Sequence, residues 1–124
     1  MTYSFTSNMT PIIFGGNMRP PRQPDIEAQV TFLATDDGGR STPALSGYRP
    51  NHLVLPDYLT SGHHEYKDKD QVLPGESAIA DIWFLAPDQY PHSMQMGAVI
   101  NVQEGSRLVG HAKVVKTYNK VLQA

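Results

Sequence analysis

The sequence predicts an all-β fold, a small barrel of six or so short strands, and three observations carry that expectation. Ile26, Ala28, Val30 and Phe32 alternate with Glu27, Gln29 and Thr31, which is the period of a half-buried strand. Turn signals recur at Asp36-Asp37-Gly38-Gly39, at Leu73-Pro74-Gly75-Glu76 and at Gln103 to Ser106. Ten glycines and ten prolines among 124 residues favour short strands over long helices. A chain of this length supports one core but not two comfortable domains.

Taken in order, residues 1–25 read as a proline-rich N-terminal arm or linker, and residues 26–124 as the barrel. The arm has a short β-prone start, with Ile12, Ile13 and Phe14 as candidate anchors, followed by NMRPPRQPD. Pro11, Pro20, Pro21 and Pro24 fix φ and remove amide donors, so a helix is excluded and a mobile or strap-like segment is expected. Arg19 and Arg22 could reach a partner's phosphates, although a solvated linker is the simpler reading.

The first strand ends at the Asp36–Gly39 turn, a hairpin or sharp corner. Asn51 to Thr60 (NHLVLPDYLT) alternates through Leu53 and Leu55, and Pro56 interrupts the ladder, as in an edge or bulged strand. Ser61 to Asp70 (SGHHEYKDKD) is polar, lacks apolar periodicity and reads as a loop. Pro74 and Gly75 suit the centre of a type II turn. Ser77 to Leu85 is apolar on both faces, with Ala78, Ala80, Ile82 and Phe84 on one and Ile79, Trp83 and Leu85 on the other, so this strand should be the most enclosed. Ala86 to His92 is a connection. Met96, Ala98, Ile100 and Val102 form one face of the next strand, and Arg107 to Tyr118 returns with Leu108, Ala112 and Val114 on one side.

Ten Lys and Arg against twelve Asp and Glu give a net charge of -2, so any nucleic-acid surface must be a local patch, for which Arg107, Lys113, Lys116 and Lys120 are the candidates. With no cysteine, disulfide and thiolate chemistry are excluded. The amino terminus lacks a basic start and a long apolar run, and no stretch approaches the ~20 apolar residues of a membrane helix, so the expectation is a cytoplasmic protein with no membrane partner.

Catalytic chemistry has little to stand on. Gly15-Gly16 is followed by NMRPP instead of the Lys and Ser or Thr that a phosphate-cradling loop needs. His63, His64, Glu65, Asp68 and Asp70 are ligand types, but adjacent histidines on an extended segment point apart and the spacing matches no zinc pattern; they read as a solvated charged loop. His52, His92 and His111 are scattered, and no Ser, His and Asp set has a nucleophile-elbow context. No cofactor or metal is expected. Arg40 and Arg49, beside glycine turns, read as guanidinium forks that lock loops together. Trp83 and Phe84 read as core.

Several of these motifs also carry a family likeness. Ile26-Glu27-Ala28, Asp36 to Arg40, Thr42-Pro43 and Gly47-Tyr48-Arg49-Pro50 resemble the opening of the third, C-terminal domain of bacterial elongation factor Tu. The likeness continues through Leu73-Pro74-Gly75-Glu76 and Ala86-Pro87 and resumes at Glu104-Gly105-Ser106-Arg107-Leu108-Val109-Gly110. It spans roughly the last hundred positions, with about four extra residues between Asp88 and Met96.

The resemblance implies a six-stranded antiparallel barrel of Greek-key type and a non-catalytic binding module. It covers none of the family's GTPase domain, and Asn119-Lys120-Val121-Leu122 lacks the aspartate that guanine recognition uses there, so GTP binding by this chain alone is not expected. In the family this domain touches the T-stem backbone of aminoacyl-tRNA; the matching positions are Asn51, Thr60 and Glu104. Thr60 and Glu104 keep the family's residue type and Asn51 is shorter by a methylene, and a glutamate can accept from a ribose 2′-hydroxyl. The partner implied is thus tRNA or a protein of the elongation machinery. A second expectation, of another class, is a protein-interaction inhibitor or immunity-type mimic of that domain that binds no RNA. Ala44-Leu45, the loop around Tyr90-Pro91-His92, His111 and the tail from Tyr118 depart from the family and point to an altered partner surface.

Overall fold

A computed structural model describes residues 19–123; Ile12, Ile13 and Phe14 lie outside the described residues. Six strands close an antiparallel barrel: β1 (Ile26–Phe32), β3 (Asn51–Leu55), β4 (Tyr58–Tyr66), β6 (Ser77–Phe84), β7 (Val99–Glu104) and β8 (Arg107–Thr117). Around the barrel the order is β1-β6-β4-β3-β7-β8, and β8 pairs back onto β1. Strands β3, β4 and β6 form a meander and β1 returns beside β6, which is a Greek-key arrangement. The remaining strands, β2 (Ala44–Leu45) and β5 (Gln71–Val72), form a separate two-stranded ribbon whose Ala44 and Val72 are buried in the main core.

The alternation read in β1 sets the core. Ile26, Ala28, Val30 and Phe32 point inward and meet Ala78, Ala80, Ile82 and Phe84 from β6 and Ala112 and Val114 from β8. The turn after β1 is a sharp corner and not a hairpin: Thr35–Asp37 form one 3-10 turn, and Gly38 follows at φ 97°. Gly39 is obligatory there, because a Cβ would lie 2.1 Å from the Leu33 carbonyl oxygen. Gly75, at φ 88°, and the Glu76 amide bonded to the Leu73 carbonyl at 3.0 Å complete the turn expected at Pro74-Gly75.

Four expectations are corrected. Asn51 to Thr60 is not one interrupted strand and not an edge, since Pro56 and Asp57 turn a hairpin between β3 and β4 of a closed barrel; the expected irregularity is present as a register shift between Leu53 and Leu55. Ser61 to Asp70 is not a loop up to Tyr66, since β4 runs through Gly62, His63 and His64, all buried. The strand expected from Met96 begins at Val99; Met96 is exposed, and Met94 is buried instead. In β8 a register shift opposite Val102 and Gln103 puts Val109 in the core where Leu108 was expected.

The arm is a strap as far as it is described, and Asp25 ties it down. The Asp25 carboxylate has no exposed surface; it accepts both terminal nitrogens of Arg22 at 2.8 and 3.1 Å, the Phe84 amide at 2.7 Å and the Asn119 side-chain amide at 2.8 Å. Its carbonyl accepts from the Tyr118 and Asn119 amides, so one residue joins the strap, the end of β6 and the end of β8. Beyond it, Lys120–Leu122 form a 3-10 turn capped by Asn119, and Leu122 is fully buried beside Met94.

Candidate functional site

Pleating sorts the residues of β3, β4 and β7 into two faces with different chemistry. Inward go His52 and Val54 from β3, Thr60, Gly62, His64 and Tyr66 from β4, and Ile100 and Val102 from β7. Outward go Leu53 and Leu55, Leu59 and Ser61, Val99 and Asn101. The leucines that marked the strand in sequence therefore face out, and the histidine faces in.

Inside, His52 and His64 meet Nε2 to Nε2 at 2.8 Å, and His64 Nδ1 lies 3.0 Å from the Tyr66 hydroxyl. If Tyr66 donates to His64, His64 donates to His52, and the remaining proton sits on His52 Nδ1. That nitrogen is buried with no hydrogen-bond partner in good geometry, although the backbone of Thr60 and Pro50 lies near enough to favour the protonated ring in part. Burial pushes His52 down to about 4 and His64 well below its usual range, the positive charge on one ring further disfavouring the other. Tyr48 and Tyr66 stand edge-on to the His64 ring, and Phe84 stands edge-on to His52. Gly62 makes the room, since a Cβ there would lie 2.6 Å from His52 Cε1.

The residues matched to tRNA contacts do not form one surface. Asn51 faces out, and its Oδ1 accepts from the Gly105 amide at 2.9 Å, which brings it beside Glu104. Glu104 itself accepts from the Tyr48 hydroxyl at 2.6 Å and from Arg40. The Tyr48 hydrogen bond first, and then Arg40, hold its carboxyl below the usual range. Thr60 points to the interior, where Oγ1 donates to the Leu85 carbonyl at 2.9 Å and lies 3.2 Å from the Tyr90 hydroxyl. Asn51 and Glu104 are thus neighbours, and Thr60 is separated from them by the sheet.

Arg40 is the loop lock expected of it. Its guanidinium lies 4.3 Å over the Tyr48 ring, reaches Glu104, and donates to the Thr42 and Pro43 carbonyls at 3.3 Å. Arg49 is different: it is exposed, and its Nε donates to His63 Nδ1 at 3.4 Å. Among the described residues no carboxylate lies within ion-pairing distance of Arg49.

Arg49 stands on the rim of a groove of about 440 Å³, floored by His63, Trp83 and Leu85 and roofed by Pro20 and Arg22 of the strap. His63 and Trp83 both face outward from the barrel, yet each is only 3 % exposed, because they pack edge to face under the strap and the Trp83 indole donates to the Arg22 carbonyl at 2.7 Å. His63 Nε2 is 2.7 Å from Glu65, and Arg19 pairs with Glu65 at 3.6 Å while lying over the indole. His63 and His64 do point apart, as extended geometry requires, but both are enclosed and neither is on a solvated loop. Sequence reasoning missed this groove and the interior pair; the period of two running through Thr60, Gly62, His64 and Tyr66 was the available signal.

Among the described residues no cluster of three or more His, Asp or Glu is placed to hold a metal ion, and no helix is long and apolar enough to cross a membrane. No family model matches this chain.

Proposed function

We propose that this chain is a non-catalytic binding module, resembling the third domain of elongation factor Tu, that holds a translation-related protein partner against its outer sheet face. The observation that carries the reading is a strip of outward apolar side chains on adjoining strands. Leu53 pairs with Leu59 across β3 and β4, and Leu55, Pro56 and Val99 flank it around a shallow hollow. Leu85, which is 67 % exposed and bonded through its amide to the Ser61 carbonyl, extends the strip toward the Arg49 groove. Contiguous apolar surface of this kind is stabilised by covering it with another protein.

Transfer-RNA contact is the weaker form of the proposal. It needs the buried Thr60 to leave Leu85 before it can meet a ribose or phosphate, whereas Glu104, bonded to Tyr48 and Arg40 through Oε2 alone, keeps Oε1 for such a contact. A protein docked on the leucine strip breaks none of these bonds.

The test is affinity purification from the native source with the full chain, with and without nuclease. A protein recovered after nuclease treatment by the wild type, and lost from Leu59→Ser and Val99→Ser variants that melt normally, is the expected result. Recovery of tRNA alone, in a salt-sensitive and nuclease-sensitive manner, would replace this reading with the RNA one.

A further inference from the structure

We infer that the groove under the strap docks an acidic segment of the partner protein, with a carboxylate on Arg49 and a neighbouring bulky apolar side chain against the exposed Leu85, above the buried Trp83. This rests on the reading that the partner is a protein, and it names the chemistry of the segment that protein would present.

Charge is the first argument. The chain as a whole is net negative at -2, yet Arg19, Arg22 and Arg49 gather at this groove. The two carboxylates nearby are already engaged, Asp25 by Arg22 and Glu65 by His63 and Arg19. Arg49 uses only Nε, toward His63, so both of its terminal nitrogens have no protein acceptor among the described residues. A planar fork in that state matches a carboxylate with two parallel hydrogen bonds.

Shape and rigidity are the second. Ser61 is the small outward residue between Asn51 and Leu85, and its size keeps the hollow open. The floor does not move easily: Trp83 is fixed by its bond to the Arg22 carbonyl and His63 by its bond to Glu65. Leu85 projects beside this floor with most of its surface in solvent. A fixed aromatic floor with one free cation on the rim suits an apolar anchor next to an acid, because the anchor supplies the burial and the acid the orientation.

Trp83 is the only tryptophan in the chain, so its indole N–H resonance reports the groove without labelling at a chosen site. The probes are blocked peptides of about ten residues: one set with Glu or Asp beside Leu or Phe, one with Gln or Asn in place of the acid, one with Ala in place of the apolar residue, and bulk tRNA as a separate titrant. The acidic-apolar set should shift the Trp83 resonance in the full-length wild type, and Arg49→Glu should weaken that binding roughly tenfold or more. Leu85→Ser, also at an exposed position, should weaken it with the charge left in place.

The inference is overturned if no peptide moves the resonance, if the amide controls bind as tightly, if Arg49→Glu binds as the wild type does, or if tRNA alone produces the shift. The two readings fail separately. A native partner lost from the Leu59 variant but retained by Arg49→Glu would leave the protein-binding reading standing and remove the groove from it.

Discussion

Acidification is the sharpest perturbation of this barrel, because two histidines sit in its interior with one hydrogen bond between them. His52 is fully buried and pushed down to about 4, and in the unfolded chain it returns to its ordinary value near 6.5. Below about pH 6.5 the unfolded state therefore binds a proton that the folded state refuses, so stability falls as the pH drops, until the folded pKa is reached. The limiting slope is about 1.4 kcal/mol per pH unit, and between about pH 7 and pH 5 His52 alone should remove about 2 kcal/mol. His64 is displaced in the same direction and adds to the loss, but the pair shares a proton and its steps belong to both rings.

The assay is urea unfolding followed by Trp83 fluorescence across that range, supported by a melting temperature lower by roughly 5–10 °C at the acid end. Carboxylates titrate mainly below this window, which separates the histidine contribution from theirs. Replacing both rings with phenylalanine removes these two titrating groups, so that variant should show a shallower profile than the wild type over the same range. Stability constant to within about 0.5 kcal/mol from pH 7 to pH 5 in the wild type would refute the reasoning.

Other substitutions test the remaining parts of the argument. Asp25→Ala leaves the Phe84 amide, the Asn119 amide and Arg22 without their acceptor and should cost about 3 kcal/mol by urea titration, with Asp25→Asn costing less because one carbonyl acceptor survives. Gly62→Ala drives a methyl group into the His52 ring and should lose about 1–3 kcal/mol, recovered in part when His52 is also made alanine. Glu104→Gln weakens the bonds to Tyr48 and Arg40 and should cost about 1 kcal/mol of stability once screening at this part-exposed site is allowed for, read as a lower melting temperature. An unchanged melting temperature in that variant would show that these two bonds do not contribute to holding the barrel together.

What could be read in the sequence was whatever period and turn chemistry state directly. The alternation in β1 and the Pro-Gly turn before β6 each rest on one local rule, and each took the form that rule prescribes; in β6 the inward face did so, but on the other face Ile79 is half-buried and Leu85, beyond the strand, is exposed. Asp25 was not legible because its importance is entirely non-local: its partners lie at Arg22, Phe84 and Asn119, and nothing in QPDI distinguishes a buried knot from the last residue of a linker. Trp83 is buried as expected but lies outside the barrel core: it faces outward, and what encloses it is the strap and His63, which composition alone describes as polar.

The misread of SGHHEYKDKD shows why polarity is a poor guide to exposure in a small barrel. A buried polar side chain is excluded only when it has no partner, and here the pleat supplies one: His64 lies two residues from Tyr66 on the same face of β4, and the neighbouring strand brings His52 to its other nitrogen. One hydroxyl and two imidazoles can thus fill interior space that an apolar side chain would otherwise take, provided that position 62 has no side chain. The same alternation that turns His64 inward turns Leu59, Ser61 and His63 outward, so the polar interior and the apolar exterior of β4 are one structural fact seen from two sides. In β3 and β4 it is His52 and His64 that lie inside and Leu53, Leu55 and Leu59 that face out, so the protein partner proposed above is to be sought at the outer face of β3, β4 and β7.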